Sequence, residues 1–183
     1  EERGAFPIYD HSIEVGHEFL SRVISSLSEE YQEKYKQYGR RNIALTTTAP
    51  TGSVSIMTQT SSGIEPVFML SYDRRKKINP SEEGVRVDYV DGMGDKWQVY
   101  KVYHHELKKW MEVTGETDET KSPWYGGTAN DIDWVTSVDM QAAAQRWVDH
   151  SISKTCNLPK DVDEKTVADV YMRAWETGCK GFT

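Results

Sequence analysis

The segment Ala49–Ser55 holds the residue types best suited to binding chemistry in this sequence. It reads Ala-Pro-Thr-Gly-Ser-Val-Ser, follows an apolar stretch and precedes a short run of helical character. A helix that starts here leaves backbone N–H groups without acceptors and carries a partial positive charge at its beginning. Glycine lets an anion approach the backbone closely, and hydroxyl groups add donors. The pattern predicts a phosphate-binding loop made of Pro50, Thr51, Gly52, Ser53, Val54 and Ser55.

The same pattern also fits an ordinary strand-to-helix turn in which a serine or threonine caps the helix. No lysine follows Gly52, so the segment is not a Walker A loop. The next turn is close in sequence, and we expect it to support the same pocket through Ser61, Ser62 and Glu65. Its Gly63 and Pro66 are typical turn residues, and the pattern leaves open whether Glu65 organises the loop or is solvated.

Other reactive side chains are better explained without a catalytic or metal-binding role. Cys156 and Cys179 have no CxxC spacing, which disfavours a zinc site or a disulfide framework and favours small buried side chains. His104 and His105 are adjacent and point in different directions on a helix, so no metal site is expected. The basic cluster 74–77 is typical of a solvated face.

The elements that would position the loop alternate between helices and strands. Helices are predicted over Ile13–Tyr38, from Ser53 onward, and over Tyr103–Val113, Asp139–Ser151 and Asp163–Thr177. Strands are predicted over Asn42–Thr48, Ile152–Leu158 and from Cys179 to Thr183. This order indicates an α/β fold with parallel strands in a βαβαβ arrangement, and residues 73–134 are expected to form a loop-rich excursion. A strand starting at Cys179 also leads us to expect a single fragment, residues 1–183, of a larger domain.

Two faces of the predicted helices are expected to be buried. For Asp139–Ser151 the apolar face is Met140, Ala143, Ala144, Trp147 and Val148. For Asp163–Thr177 it is Val167, Val170, Tyr171, Ala174 and Trp175. Asp163 is expected to cap the second helix at its start, and Gly178 to end it.

Composition limits the classes of function. The sequence has 183 residues, 37% of them hydrophobic, and a formal net charge of −7, which disfavours an extended nucleic-acid-binding face. No apolar run reaches the roughly 18 residues that a membrane span needs. We therefore expect a protein of the cytoplasm with no membrane or nucleic-acid partner.

Four blocks of sequence resemble the large chain of ribonucleotide reductases. RNIALTTTAPTGSVSIMTQTSSGIEPVFML (Arg41–Leu70) is similar to that family's phosphate-loop region. HSISKTCNLP (His150–Pro159) and VYMRAWETGCKGFT (Val170–Thr183) resemble its closing helices and last barrel strand, and GAFPIYD (Gly4–Asp10) resembles the segment before them. The PTGS form of the loop, SISKTCNLP and GCKG resemble the adenosylcobalamin-dependent class (class II).

The resemblance implies part of a ten-stranded α/β barrel that converts ribonucleotides to deoxyribonucleotides by thiyl-radical chemistry. Pro50–Ser55 would hold the phosphates of the ribonucleotide substrate, and adenosylcobalamin would generate the radical. The family's radical cysteine stands in an Asn-Pro-Cys context that this sequence lacks, so no catalytic residue is expected in this chain. The remaining N-terminal part of the barrel would be its partner, and the chain alone would be inactive.

Two alternatives belong to other classes. A glycyl-radical enzyme shares the barrel plan, although the Gly178–Gly181 end does not resemble a glycyl-radical site. A non-enzymatic module that binds nucleotides or phosphate would need only the loop at Pro50–Ser55.

Overall fold

The computed structural model describes residues 2–183, which form two compact units. The first unit comprises the described residues up to Glu65 together with Asp133–Thr183, and the second is Pro66–Ile132. The helices of the first unit are α1 (His11–Glu14), α2 (Glu18–Ser25), α3 (Glu29–Tyr38), α4 (Gly52–Thr58), α6 (Trp134–Gln145) and α7 (Glu164–Glu176). No helix in residues 2–183 is long and apolar enough to cross a membrane.

The second unit is built on an antiparallel sheet. Its strands are β1 (Ser71–Lys77), β2 (Tyr89–Val90) and β3 (Lys96–Tyr103), in the order β1-β3-β2, followed by α5 (His105–Thr114) and a 3₁₀ turn at Glu119–Lys121. The expected loop-rich excursion over 73–134 thus also contains a regular antiparallel sheet. Strand β1 pairs with β3 over its whole length, because a charged strand needs only a neighbouring strand, not a buried face, to satisfy its backbone.

The long helix expected over Ile13–Tyr38 is wrong, because the chain breaks it twice. Gly16 adopts a φ of +86°, a left-handed conformation that ends α1 and that residues other than glycine rarely adopt. Ser28, the residue before α3, has an extended backbone. As a result α1, α2 and α3 are separate, and α2 packs against α3.

The three parallel strands expected in the first unit do not form as regular strands among the described residues. Only a few backbone hydrogen bonds join these segments. Thr48 and Ile152 form an isolated parallel bridge, and the amides of His150 and Ser153 donate to the carbonyls of Thr46 and Thr48 at 3.0 and 2.9 Å. The Cys156 amide donates a hydrogen bond to the Thr183 carbonyl. Regular parallel strands are normally covered on both faces. Here Ile43 is 64% exposed, so burial does not stabilise a regular strand in this segment.

Helices α6 and α7 form the centre of the first unit. Val138, Val170 and Ala174 make a buried cluster that the Cys156, Leu158, Cys179 and Phe182 side chains cover. The expected buried face of α6 is wrong, since Val138, Gln141 and Gln145 are buried while Trp147 is 55% exposed. That of α7 is right for Val170 and Ala174 and wrong for Tyr171 and Trp175, which are exposed. Asp163 caps α7 as expected, by accepting from the Thr166 amide.

Candidate functional site

The start of α4 presents free backbone donors to solvent. The helix begins at Gly52, one residue before the predicted start, and the first amide with a helical acceptor is that of Ser55, which donates to the Thr51 carbonyl at 2.8 Å. The amides of Gly52, Ser53 and Val54 have no acceptor among the described residues. All three residues are exposed. Three neighbouring N–H groups at a helix start are the donor set that an anionic oxygen requires.

The Ser61–Glu65 turn holds the start of this helix in place. The backbone N–H and the hydroxyl group of Thr51 both donate to the Ser62 carbonyl, at 2.9 and 3.0 Å. Ser61 closes its own turn by donating to the Gly63 carbonyl at 3.0 Å. The two turns that the sequence suggested as one pocket are therefore hydrogen-bonded to each other, through Ser62.

Two of the predicted phosphate-binding hydroxyl groups are already used inside the turn. The Ser55 hydroxyl donates to the Gly52 carbonyl at 2.8 Å, and Ser55 is the buried residue of α4. The Thr51 hydroxyl is held by Ser62. These side chains shape the loop, whereas the exposed Ser53 hydroxyl and the three amides face solvent. Pro50 is exposed where the chain enters the turn.

Gly52 and Gly63 differ in the space around them. Gly52 does not have a positive φ, and a Cβ atom placed on it would meet nothing within 4 Å. The space beside Gly52 is therefore open. A Cβ atom on Gly63 would lie 2.5 Å from Glu65 Oε2, so the Glu65 carboxylate lies directly against the Gly63 backbone. Glu65 is half-buried and its Oε2 atom is shielded from solvent, which favours a role in organising the turn over a solvated side chain; that role stays a prediction.

Sequence reasoning missed a buried lysine two residues after the Thr48–Ile152 bridge. Lys154 is only 4% exposed, and its ammonium group donates to the Ser137 hydroxyl of α6 at 2.5 Å. Burial lowers the pKa of Lys154, and the charge of Cys156 and then that of Glu65 oppose this shift. The alternation of Ile152 and Lys154 in a predicted strand was the available signal, because side chains two apart in a strand point to the same side.

The other reactive residues take structural roles. Cys156 and Cys179 carry free thiols, and burial raises the pKa of Cys179. His104 caps α5 by accepting from the Glu106 amide, and burial, followed by the charge of His105, lowers the pKa of His104. The basic cluster 74–77 lies on β1 and is exposed, as expected. Within residues 2–183, no three His, Cys, Asp or Glu side chains are grouped to hold a metal ion.

Comparison with known proteins identifies relatives over the whole chain. The family described as ribonucleotide reductase, barrel domain, matches residues 1–183. A vitamin B12-dependent ribonucleoside-diphosphate reductase of Thermoplasma acidophilum is 31% identical over 100% of this chain and 21% of its own length. The protein of the same description from Mycobacterium tuberculosis (strain CDC 1551 / Oshkosh) is 28% identical over 100% of this chain and 24% of its own.

A ribonucleoside-diphosphate reductase subunit alpha of Helicobacter pylori (strain ATCC 700392 / 26695) is 26% identical over 81% of this chain and 15% of its own length. The chain therefore spans about a fifth to a quarter of the length of the relatives that it matches throughout.

Proposed function

The chain belongs to the ribonucleotide reductase barrel-domain family, and from this membership we propose that it supplies the substrate phosphate-binding wall of a reductase of the adenosylcobalamin-dependent class. The reaction is the replacement of the ribose 2′-hydroxyl group by hydrogen in a ribonucleoside diphosphate, the substrate class in the names of its relatives. The family membership favours this function over a glycyl-radical enzyme or a non-enzymatic binding module.

The observation that carries the proposal is the set of three free amides at Gly52, Ser53 and Val54. Their N–H groups are fixed donors, since the hydrogen bonds from Thr51 to Ser62 hold the turn before a ligand arrives. Preorganised donors stabilise an anion without a cost of reorganisation when it binds. The loop would orient the diphosphate and leave the ribose to the rest of the barrel.

The complete enzyme would use adenosylcobalamin to start the radical that abstracts a hydrogen atom from the substrate. The exposed donors of this loop are amides and a hydroxyl group, which suit phosphate oxygens and do not suit cobalt. We therefore assign no cobalamin contact to the loop. Cys156 and Cys179 pack against the α6–α7 cluster, and we assign neither of them the radical.

The loop assignment is tested in the full-length reductase with Gly52→Val. Because the space beside Gly52 is open and its φ is not positive, valine leaves the fold intact and fills the volume that a phosphate needs. We expect a large rise in the KM for the ribonucleotide and little change in cofactor homolysis. Ser53→Ala removes one donor and leaves the amides, so its rise in KM is smaller.

Gly92→Val is the matched control. Gly92 also has open space around its Cβ position and no positive φ, but it belongs to the second unit. We expect the KM of this variant to equal that of the parent enzyme. If Gly52→Val also keeps the parent KM while folding normally, the loop does not bind the substrate phosphates.

A further inference from the structure

The outer edge of β1 has backbone groups without partners. The sheet order is β1-β3-β2, so β1 has a neighbouring strand on one side only. Just beyond its two ends, the Ile78 amide donates to the Lys96 carbonyl and the His104 amide donates to the Leu70 carbonyl, both at 2.8 Å. In an antiparallel pair every second residue is bonded to the neighbouring strand in this way. The even-numbered residues of β1 therefore bond to β3, and the odd-numbered residues point their N–H and C=O groups away from it.

The outward-facing residues of β1 are Ser71, Asp73, Arg75 and Lys77. Their N–H and C=O groups form no hydrogen bond with any of residues 2–183. Every residue of β1 after Ser71 is exposed. An exposed strand edge of this kind can be extended by another strand, which is how several peptide-binding domains hold an extended peptide. The edge of β1 is thus open to a further strand.

The side chains of β1 select the strand that can pair with it. Positions 74–77 are Arg, Arg, Lys and Lys, and all four are exposed. Asp73, the one acidic residue of β1, has Lys101 opposite it on β3. A second copy of this strand would bring like charges together, which is destabilising on paired strands, whereas opposite charges on paired strands stabilise the pair. The composition of the edge therefore disfavours self-pairing and favours an acidic strand.

The cations at this edge are available to a partner. Arg74 forms no hydrogen bond or ion pair with the described residues. Lys76 pairs with Glu82 at 2.8 Å. Lys77 pairs with Asp95 at 2.5 Å. Both lysines remain exposed. Exposed ion pairs contribute little to stability, so a carboxylate on a neighbouring strand can replace them.

We propose that the outer edge of β1 is a docking site for an extended, acidic polypeptide segment. The segment adds a strand to the sheet: its backbone bonds to the outward-facing residues of β1, and its carboxylates lie beside the cations at 74–77. The backbone bonds supply affinity, and the alternating side chains supply specificity. The site belongs to the second unit, so it does not depend on the phosphate-binding function proposed for the loop at Pro50–Ser55.

Binding of a labelled peptide to the full-length reductase tests the proposal. The probe is a fluorescent peptide of the same length as β1, in which glutamate alternates with valine, and fluorescence anisotropy at low ionic strength follows its binding. We expect saturable binding that weakens as salt is added, because salt screens exposed charges. A peptide of the same length with lysine in place of glutamate should not bind.

Two substitutions at Arg75 separate the contribution of the charge from that of the backbone. Arg75→Ala removes one exposed cation and should weaken binding of the acidic peptide about two- to fivefold. Arg75→Pro also removes the outward N–H group and leaves the bonds to β3 intact, because proline is tolerated where the N–H group of an edge strand faces solvent. We expect a further loss of about two- to tenfold, which corresponds to one net hydrogen bond. Lys109→Ala, which removes an exposed lysine of α5, is the control and should bind the peptide like the parent.

A peptide with methylated backbone nitrogens keeps the carboxylates and loses the N–H donors, so it should bind more weakly than the unmethylated peptide. This peptide decides the question if Arg75→Pro does not fold. The proposal is overturned if the acidic peptide shows no saturable binding, if the methylated peptide binds equally well, or if a folded Arg75→Pro binds like Arg75→Ala. Displacement of the probe by a single-stranded oligonucleotide of equal charge, as effective as displacement by unlabelled peptide, would also overturn it and would show a general surface for polyanions.

Discussion

Two stretches of seven residues show what a strand needs in this protein. Asn42–Thr48 is rich in β-branched residues and reads as a buried strand, yet its regular pairing is the single bridge at Thr48. Ser71–Lys77 is mostly charged and exposed, yet every residue pairs with β3. The partner of the second stretch lies close in sequence and runs antiparallel, whereas a parallel partner is always distant in sequence. Local pairing thus outweighs side-chain propensity here.

The two units as a whole differ in what stabilises them. In the second unit a regular sheet is joined to α5, whose Leu107 is fully buried. In the first unit a helix pair, loops and ion pairs carry the structure, and several apolar side chains near the loop are exposed, including Ile43, Leu45, Ile56 and Met57. The stability of the second unit should therefore be most sensitive to changes in packing. The stability of the N-terminal part of the first unit should be most sensitive to changes in charge.

The largest effect is expected for Leu107→Ala. Leu107 has 0% exposure, so alanine leaves a cavity and loses apolar contacts, with an expected loss of about 2–5 kcal/mol in the free energy of unfolding. Denaturant unfolding measures this loss, and amide hydrogen exchange in β1 and β3 locates it. Val113→Ala on the same helix is the control, because Val113 is 80% exposed. Equal losses for the two variants would show that α5 is not anchored by packing.

The sequence predicted the helices of this fold better than its strands. The bounds of α5 and α7 and the cap at Asp163 were predicted nearly correctly, because caps and helical spacing are local signals. The parallel strands depend on partners far away in sequence. The α6 face was wrong because Gln141 and Gln145 are buried by hydrogen bonds to carbonyls, such as that of Gly181, which hydrophobic spacing does not reveal.

The local structure of the candidate loop was predicted in part for the same reason. The turn at Pro50–Ser55 and the helix after it follow from local residue types, and the structure contains both. The hydroxyl groups of Thr51 and Ser55 form hydrogen bonds inside the turn. Local residue types do not predict these bonds, because they depend on the geometry of the folded loop. The buried ammonium of Lys154 depends on α6, which lies elsewhere in the chain, and lysine is rarely buried.

The second largest effect is expected for Glu14→Gln, which tests the role of charge in the first unit. Glu14 is 8% exposed, forms an ion pair with Arg40 at 2.7 Å and accepts from the Tyr35 hydroxyl at 2.8 Å. Glutamine weakens both contacts and leaves the partly buried Arg40 without its counter-charge. We expect a loss of about 2–3 kcal/mol in the free energy of unfolding at neutral pH.

The pH dependence of this loss follows from the pKa of Glu14. Burial alone would raise that pKa, but the hydrogen bonds from Arg40 and then Tyr35 outweigh burial and hold it below its usual value of 4.5. A carboxyl group whose pKa is lower in the folded state stabilises the fold above its unfolded pKa, and this stabilisation is lost as the pH falls through the folded pKa. The difference between parent and Glu14→Gln should therefore shrink below about pH 4.5. Glu29→Gln on the exposed surface of α3 is the control and should unfold like the parent. If the difference between the parent and Glu14→Gln persists at low pH, the assignment of the effect to charge is wrong.

The smallest effect is expected for a pair of substitutions that should behave alike in the two units, Gly115→Ala after α5 and Gly178→Ala after α7. Both glycines have a positive φ, +73° and +82°, and a Cβ atom at either position would meet nothing within 4 Å. The cost of alanine is therefore backbone strain alone, about 1 kcal/mol at each position. Thermal or denaturant unfolding measures both, with Gly92→Ala as the control, since Gly92 has the same open space and no positive φ. Equal losses of stability would show that the helix ends of the two units obey the same local rule, although the units differ in strand pairing and packing. A loss at Gly178 several times that at Gly115 would mean that the end of α7 depends on its surroundings in the first unit.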